Sequence, residues 1–384
     1  MASQYIGVLN AGSSSLKFAV HDAGGSLRRV LSGEVEGIGG LGLLRISGQR
    51  DAIIDVPDHG AALARVPMLD GLLAFGHRVV HGGPDLAAPV IIDPPTMARI
   101  EAVSPLAPLH NPPALAVIRA MADRFPGVPQ VACFDTSFHR GHPAVADRFA
   151  IPDSLYQEGV RRYGFHGLSY EHVATALHTV APAVANGRVV VAHLGSGASM
   201  CGLVGGRSVD SSMGFTALDG LPMGTRSGSL DAGVILWLQQ HKGWSVRQVE
   251  QFLYHDCGLK GLSGVSNDMR VLLASEAPLA RLAVDYFVFH VARTAGALAA
   301  STGGLDAMVF TAGIGERSPE IRARVLRRLA WMGFEVDDAA NQTHGPVLTT
   351  SRSQLPAYSI PTDEEGVIAR HTAALVMGSN AQVG

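Results

Sequence analysis

Residues able to handle a phosphate appear first in Asn10-Ala-Gly-Ser-Ser-Ser-Leu-Lys17. A turn built of small residues lets backbone N–H groups approach an anion. The hydroxyls of Ser13 and Ser15 add rotatable donors, and Lys17 brings a positive charge to the residues that follow. Nearly half the chain later, His193-Leu-Gly-Ser-Gly-Ala-Ser199 repeats the pattern. Charged groups sit in other glycine-rich segments. Arg78 and His81 lie within Gly76–Gly83, Asp135 ends an apolar run, His166 closes Arg161-Arg-Tyr-Gly-Phe-His166-Gly, and Arg226 ends the small-residue loop from Met213. Taken singly, each has a structural reading: a loop arginine is ordinarily a surface charge, and a histidine among aromatics a hydrogen-bonded core residue. Taken together, two arginines, a carboxylate and a histidine match what phosphoryl transfer requires, namely positive donors aimed at charge spreading over the moving oxygens.

A third turn, Phe310-Thr-Ala-Gly-Ile-Gly315, follows an apolar run and precedes a helix signal at Ser318-Pro319, the order expected of a nucleotide platform. Gly37-Ile-Gly-Gly-Leu-Gly42 matches the dinucleotide fingerprint G-x-G-x-x-G, which works only between a strand and a helix. Here the alternating Leu43-Leu-Arg-Ile follows, so a glycine turn is the better reading. The chain has no G-x-x-x-x-G-K-[ST], H-E-x-x-H or G-x-S-x-G, so a P-loop enzyme, a zincin and an α/β-hydrolase lose their main support.

The elements that must position these groups can be read from the pattern. Tyr5–Leu9 and the apolar residues from Leu16 make a hairpin whose tip is the serine turn, and residues 187–204 make a second. A repeated unit of this kind points to two related domains. Strands are expected at 129–134, 188–194, 200–211, 305–311 and 356–360. Asn111-Pro-Pro is expected to cap and open a helix over 114–125, and Ser318-Pro-Glu one running to about Met332. Ser245–Gln248 and Thr362–Glu365 read as capping boxes. Alternating strands and helices indicate an α/β protein. The break is placed in Ala150–Gly159, giving domains of 1–150, completed by a C-terminal helix 365–384, and 151–364.

Composition narrows the class. The chain has 384 residues, too many for one ordinary core, and 47% are hydrophobic against 16% charged, which disfavours disorder. A net charge of −3 without a basic run argues against a nucleic-acid partner. Cys133, Cys201 and Cys257 form no disulfide framework or metal set, which fits a reducing compartment. The N-terminal residues lack the basic and apolar regions of a signal peptide. Leu279–Ala300 carries Arg281, Asp285, His290 and Arg293, so it reads as a buried amphipathic helix and not as a membrane span. A cytoplasmic location is expected, with no membrane partner.

Read in order, N-A-G-S-S-S-L-K, G-H-R-V-V-H-G-G, S-P-L-A-P-L-H-N-P, F-D-T-S-F-H, R-R-Y-G-F-H-G, H-L-G-S-G, M-G-T-R-S-G-S-L-D, T-A-G-I-G-E and P-T-D-E-E resemble the motif series of the acetate kinases, from Asn10 to Glu365. The resemblance implies the actin, hexokinase and Hsp70-like fold: two ribonuclease H-like domains with the active site in the cleft between them. It also implies a homodimer through the second domain. Arg78 and Arg226 then hold the carboxylate and the phosphoryl group, His166 stabilises the transition state, and Asp135 orients the reacting groups. Asn10 and Glu364 hold Mg2+, with Mn2+ as the alternative, while Glu365 completes the cap. Lys17, Ser13 and Ser15 join His193, Leu194, Gly195, Ser196 and Gly197 at the phosphates of ATP or ADP. Asp268, Met269 and Arg270, with Gly313, Ile314, Gly315, Glu316 and Arg317, clasp adenosine. Val80, Leu109 and Ala217 face the acyl chain.

Some positions depart from the family's pattern: Ser196 replaces asparagine, Met269 an aromatic, Tyr170 a histidine, and Ala217 a proline of the acyl pocket. The last change implies a wider pocket and makes propionate a usable substrate, so a propionate or butyrate kinase is the near rival. An actin-fold ATPase that binds nucleotide and couples to a partner is the rival from another class. A sugar kinase is disfavoured, because an uncharged acceptor has no use for two arginines.

Overall fold

The computed structural model describes residues 4–380; the extreme N-terminal residues and the end of the expected 365–384 helix lie outside the described residues. The chain forms two compact units, one running to Arg140 and resuming at Asp363, the other spanning Gly141–Thr362.

The first unit opens with the expected hairpin, β1 (Tyr5–Ala11) and β2 (Ser15–Asp22), pairing Asn10 with Lys17. The N–H of Gly12 donates to Ser15 O at 2.8 Å and closes the tip. Antiparallel strands β3 (Arg29–Glu36), β4 (Gly40–Ile46) and β5 (Ala52–Val56) extend the sheet on one side. The G-x-G-x-x-G match is indeed a turn entering β4, with Gly37 and Gly39 at positive φ. On the other side β6 (Leu72–Val79) runs parallel to β1 and β8 (Gln130–Phe134) parallel to β6, with short β7 (Val90–Ile91) at the edge. Leu9, Leu16, Phe18, Val35 and Phe75 meet Val117 and Met121 of the helix Asn111–Arg124 in one core cluster. Burying each such side chain contributes roughly 1.5–3 kcal/mol. The helix Glu364–Asn380 packs against β1, β6 and β8. Gly76 permits that approach, since a Cβ there would sit 2.4 Å from both Ile368 Cγ2 and Thr372 Oγ1.

The second unit repeats the plan. β9 (Arg188–Leu194) and β10 (Ala198–Val204) form the second hairpin, and β11 (Arg207–Ser211) follows antiparallel. The single strand expected over 200–211 is thus two, broken where Gly205 and Gly206 adopt positive φ. β12 (Ala307–Thr311) and β13 (Ala357–Ser359) add parallel pairs, giving the order β11-β10-β9-β12-β13. The first sheet contains the same series as β3-β2-β1-β6-β8. An antiparallel meander followed by two strands parallel to its first is the ribonuclease H-like core, present once in each unit. The charged apolar stretch is the 24-residue helix Pro278–Ser301, packed on β9, β10 and β11. No helix among the described residues is long and apolar enough to cross a membrane.

Several local expectations are corrected. Asn111 caps nothing: the helix starts at Asn111 itself, and its buried side chain accepts from His81 N–H at 3.1 Å and donates to His81 O at 3.0 Å. Thr362–Glu365 is not a capping box, because Asp363 accepts from Gly366 N–H at 3.2 Å while the Thr362 hydroxyl turns to Ser169. Gly313 and Gly315 lie inside a short helix, Ala312–Arg317, where a turn was expected. The next helix ends at Arg328, ahead of a 3-10 turn at Ala330–Met332. Ser245–Gln248 is a capping box as read.

Candidate active site

In the first unit, chemistry gathers at the carboxyl ends of the parallel strands, where open α/β sheets bind ligands. Asn10 is the penultimate residue of β1, Arg78 the penultimate residue of β6, and Asp135 follows β8 directly. Arg78 Nε donates to both Asp135 carboxylate oxygens at 3.1 Å, Nη2 donates to Oδ2 at 2.5 Å, and Nη1 donates to Asn10 Oδ1 at 3.1 Å. Glu364, the first residue of its helix, brings Oε2 to 3.4 Å from Asn10 Nδ2 and 3.8 Å from Arg78 Nε. Burial by itself would weaken the hold of Arg78 on its proton, but Asp135 and Glu364 outweigh it and raise its pKa. Asp135 has no exposed surface; burial pushes its carboxyl up to about 6, against the pull of Arg78. Burial, then the neighbouring Glu364, raises Glu365 as well.

Other predicted residues of this unit lie around that quartet. Ser13 is exposed and Ser15 half-buried at the hairpin tip. Exposed Lys17 pairs in register with Glu34 of β3; burial raises the carboxyls of Glu34 and Glu365, and the charge of Lys17 opposes both shifts in part. Val80 is buried and Leu109 half-buried.

Oxygen donors from Asn10 and Glu364, backed by Asp135, suit a hard divalent cation. Among the described residues no group of three histidine, cysteine or acidic side chains forms a metal cluster. A two-donor set of this kind fits an ion such as Mg2+, which keeps waters and takes further oxygens from a bound phosphate.

In the second unit, the turn after β9 is the centre. His193, penultimate on β9 as Asn10 is on β1, stacks on His166 with ring centroids 4.0 Å apart and planes 11° from parallel. His166 adopts the left-handed conformation (φ 57°, ψ 25°) immediately before the helix Gly167–Val180. Gly195 N–H donates to Gly197 O at 3.0 Å, so the turn's backbone is folded on itself. A Cβ on Gly197 would lie 2.9 Å from Arg226 Nη2 and 3.3 Å from His166 Nε2, so both side chains close over this glycine. Arg226 is steadied by Ala217, whose carbonyl accepts from Nη1 at 2.7 Å. Leu194 is buried beneath the turn and Ser196 exposed at its tip. Gly224 N–H donates to Ser196 O at 3.3 Å, and a Cβ on Gly224 would lie 3.4 Å from Asn267, which joins the turn to the 268–270 segment. There Asp268 caps the helix Met269–Ala274 and pairs with exposed Arg270 at 2.6 Å, while Met269 is buried.

The short helix Ala312–Arg317 places Gly313 and Arg317 on the surface, Ile314 at an intermediate depth and Gly315 inside. Its Glu316 is engaged with the backbone: the carboxylate accepts from Ala312 N–H at 2.8 Å and Thr362 N–H at 3.0 Å. The fully buried Arg322 accounts for the other end, donating to the carbonyls of Gly315 and Glu316. Burial lowers the pKa of Arg322 to about 10, so it stays charged at neutral pH.

A profile of the acetokinase family matches residues 5–370. The chain belongs to the acetokinase family. The acetate kinase of Nitrobacter hamburgensis is 56% identical over 386 residues, with 96% of each chain covered. Among solved structures, a propionate kinase from Francisella tularensis superposes with a TM-score of 0.90 at 35% identity, covering 96% of this chain and 99% of its own. The acetate kinase of Porphyromonas gingivalis gives 0.86 at 32% identity, covering 97% and 100%. The two-unit, actin-like fold of this family member agrees with the repeated sheet order.

Sequence reasoning gave no site role to Ser169, Ser199, Tyr170 or Thr362, the hydroxyls behind the two stacked histidines. Ser199 had one local signal, its place directly opposite His193 in the hairpin register. Arg322 had none, since a lone arginine on a helix reads as a surface charge.

Proposed function

We propose that this family member catalyses the reversible, ATP-dependent phosphorylation of acetate to acetyl phosphate by direct in-line transfer. The observation that carries the reading is the closure of Arg226 and His166 over the glycine turn at Gly197, which presents two donors beside backbone N–H groups. An acceptor carboxylate is ionised at neutral pH and needs no general base. Its difficulty is repulsion from the phosphate it approaches. Arg78, held by Asp135 and Asn10, is assigned to the acceptor carboxylate, and Arg226 and His166 to the phosphoryl group in flight. Asn10 and Glu364 would hold Mg2+, with Mn2+ as a substitute. When bound, such a cation neutralises charge on the phosphate oxygens and polarises them.

The 193–197 turn, with Ser13, Ser15 and Lys17, is assigned to the nucleotide phosphates. Asp268–Arg270 and Gly313–Arg317 are assigned to adenosine, which makes the second unit the nucleotide side and the first the acyl side. Val80, Leu109 and Ala217 are assigned to the acyl chain. Since one buried methylene is worth about 0.8 kcal/mol, a small residue at 217 leaves propionate a usable acceptor. A homodimer is part of this reading, supported by the helix Ala232–Lys242, which exposes Leu236 and Trp237. So is a cytoplasmic location.

Trapping the acyl phosphate as its hydroxamate tests the reaction. ATP-dependent hydroxamate from acetate is expected, whereas nucleotide binding without it would favour an ATPase binding module. Arg78→Ala and Arg226→Ala are expected to lower kcat by roughly 100-fold, as loss of a preorganised charge donor does. Near-normal turnover in folded protein would overturn those roles. In a series of acetate, propionate and butyrate, kcat/KM is expected to fall gently to propionate; a steep drop there would refute the wider pocket.

A further inference from the structure

His166 turns Nε2 toward Gly197, and its other ring nitrogen, Nδ1, lies 2.7 Å from Ser199 Oγ. Ser199 Oγ in turn lies 2.5 Å from the Tyr170 hydroxyl, and both residues are fully buried. The way these two hydroxyls share their protons decides which ring nitrogen of His166 carries hydrogen. A phenol is the stronger acid of the pair, and its lone pair is drawn into the ring, so it donates better than it accepts. Tyr170 therefore donates to Ser199. The one proton of Ser199 is then directed to His166 Nδ1, and a neutral imidazole that accepts at Nδ1 carries its hydrogen on Nε2.

The same arrangement stands behind the stacked partner. Thr362 Oγ1 donates to Ser169 Oγ at 2.9 Å, and Ser169 Oγ lies 2.8 Å from His193 Nδ1. Stacking and the left-handed backbone at His166 fix the plane of its ring. What is left to set is the tautomer, and the tautomer matters: an N–H facing phosphate oxygens attracts them, while a lone pair repels them.

We propose that Tyr170 and Ser199 are positioning residues that lock His166 in its Nε2–H tautomer, so that the ring presents a donor to the transferring phosphoryl group. This rests on the reading of His166 as that donor. Nitrogen-15 NMR of the imidazole groups in the full-length protein tests it, with the His166 signals assigned by their loss in His166→Ala. Wild type is expected to show His166 protonated at Nε2 and accepting at Nδ1. Ser199→Ala is expected to give a mixture of tautomers and roughly a tenfold lower kcat, with KM for ATP little changed. Ser199→Thr, which keeps the hydroxyl, is expected to restore both. Tyr170→Phe, which removes a single oxygen, should move the tautomer ratio in the same direction as Ser199→Ala. A wild-type His166 protonated at Nδ1, or a tautomer unmoved in both Ser199→Ala and Tyr170→Phe, would overturn the inference. Full turnover in His166→Ala would instead remove the reading of His166 as the phosphoryl donor and leave the tautomer result standing.

Discussion

Three of the four hydrogen bonds of Arg78 described above go to one carboxylate, and that carboxylate is fully buried. Such a pair is valuable less for its net energy than for the cost of breaking it, because one partner left alone is an uncompensated buried charge. Asp135→Ala is therefore expected to lower stability by about 3–5 kcal/mol, read from denaturant unfolding, and to reduce turnover as Arg78 loses its fixed direction. Asp135→Asn, which keeps the shape and one acceptor, should fall between wild type and the alanine variant. Equal stability in all three would mean that Arg78 finds another partner. Arg78, Asp135 and Asn10 were legible in the sequence because each stands in a short glycine-bounded or strand-ending motif. Asn111 was misread as a cap because its partner, His81, lies thirty residues away and only the folded sheet brings the two together.

Elements made by neighbouring residues were read well, and elements held by distant ones were not. Both hairpins and the capping box at Ser245–Gln248 appear where expected, since their hydrogen bonds close within a few residues. The helix Ala312–Arg317 was hidden by its two glycines, which lower helix propensity and mimic a turn. It persists because Glu316 satisfies the N–H of Ala312, a residue at φ 64°, and Arg322 secures the far end by donating to two of its carbonyls. Glu316 also holds Thr362, the last residue before the chain re-enters the first unit. Glu316→Ala removes the acceptor of two backbone N–H groups, a loss of about 1–2 kcal/mol. If this helix serves adenosine, KM for ATP should rise roughly 5- to 30-fold, and Glu316→Gln, which keeps one carbonyl oxygen, should recover most of it. Steady-state kinetics at saturating acetate decides the matter. An unchanged KM in Glu316→Ala would detach the helix from nucleotide binding.

At the scale of the whole molecule, the duplicated sheet order explains why a serine turn and its echo were the most informative sequence feature: each marks the first hairpin of one core. The same architecture buries groups that have no part in the reaction. His77 precedes Arg78 on β6, so alternation along the strand sends its ring to the opposite face, where it is 1% exposed. Burial pushes its pKa down from 6.5 to about 4, against the support of Gln130. The unfolded chain thus binds a proton between pH 6.5 and 4 that the native state refuses, and stability must fall as the pH drops through that window. From pH 7 to pH 5 the loss from this one residue is about 2 kcal/mol. His21, also lowered by burial, acts with the same sign, whereas Asp135, raised to about 6, opposes it. A comparison within one background separates them: His77→Leu should lose about 2 kcal/mol less than wild type between pH 7 and pH 5, whatever its stability at pH 7. Urea midpoints at the two pH values measure this difference. Parallel losses in the two proteins would show that His77 takes up a proton in the native state after all, and that the inner face of β6 admits a charge.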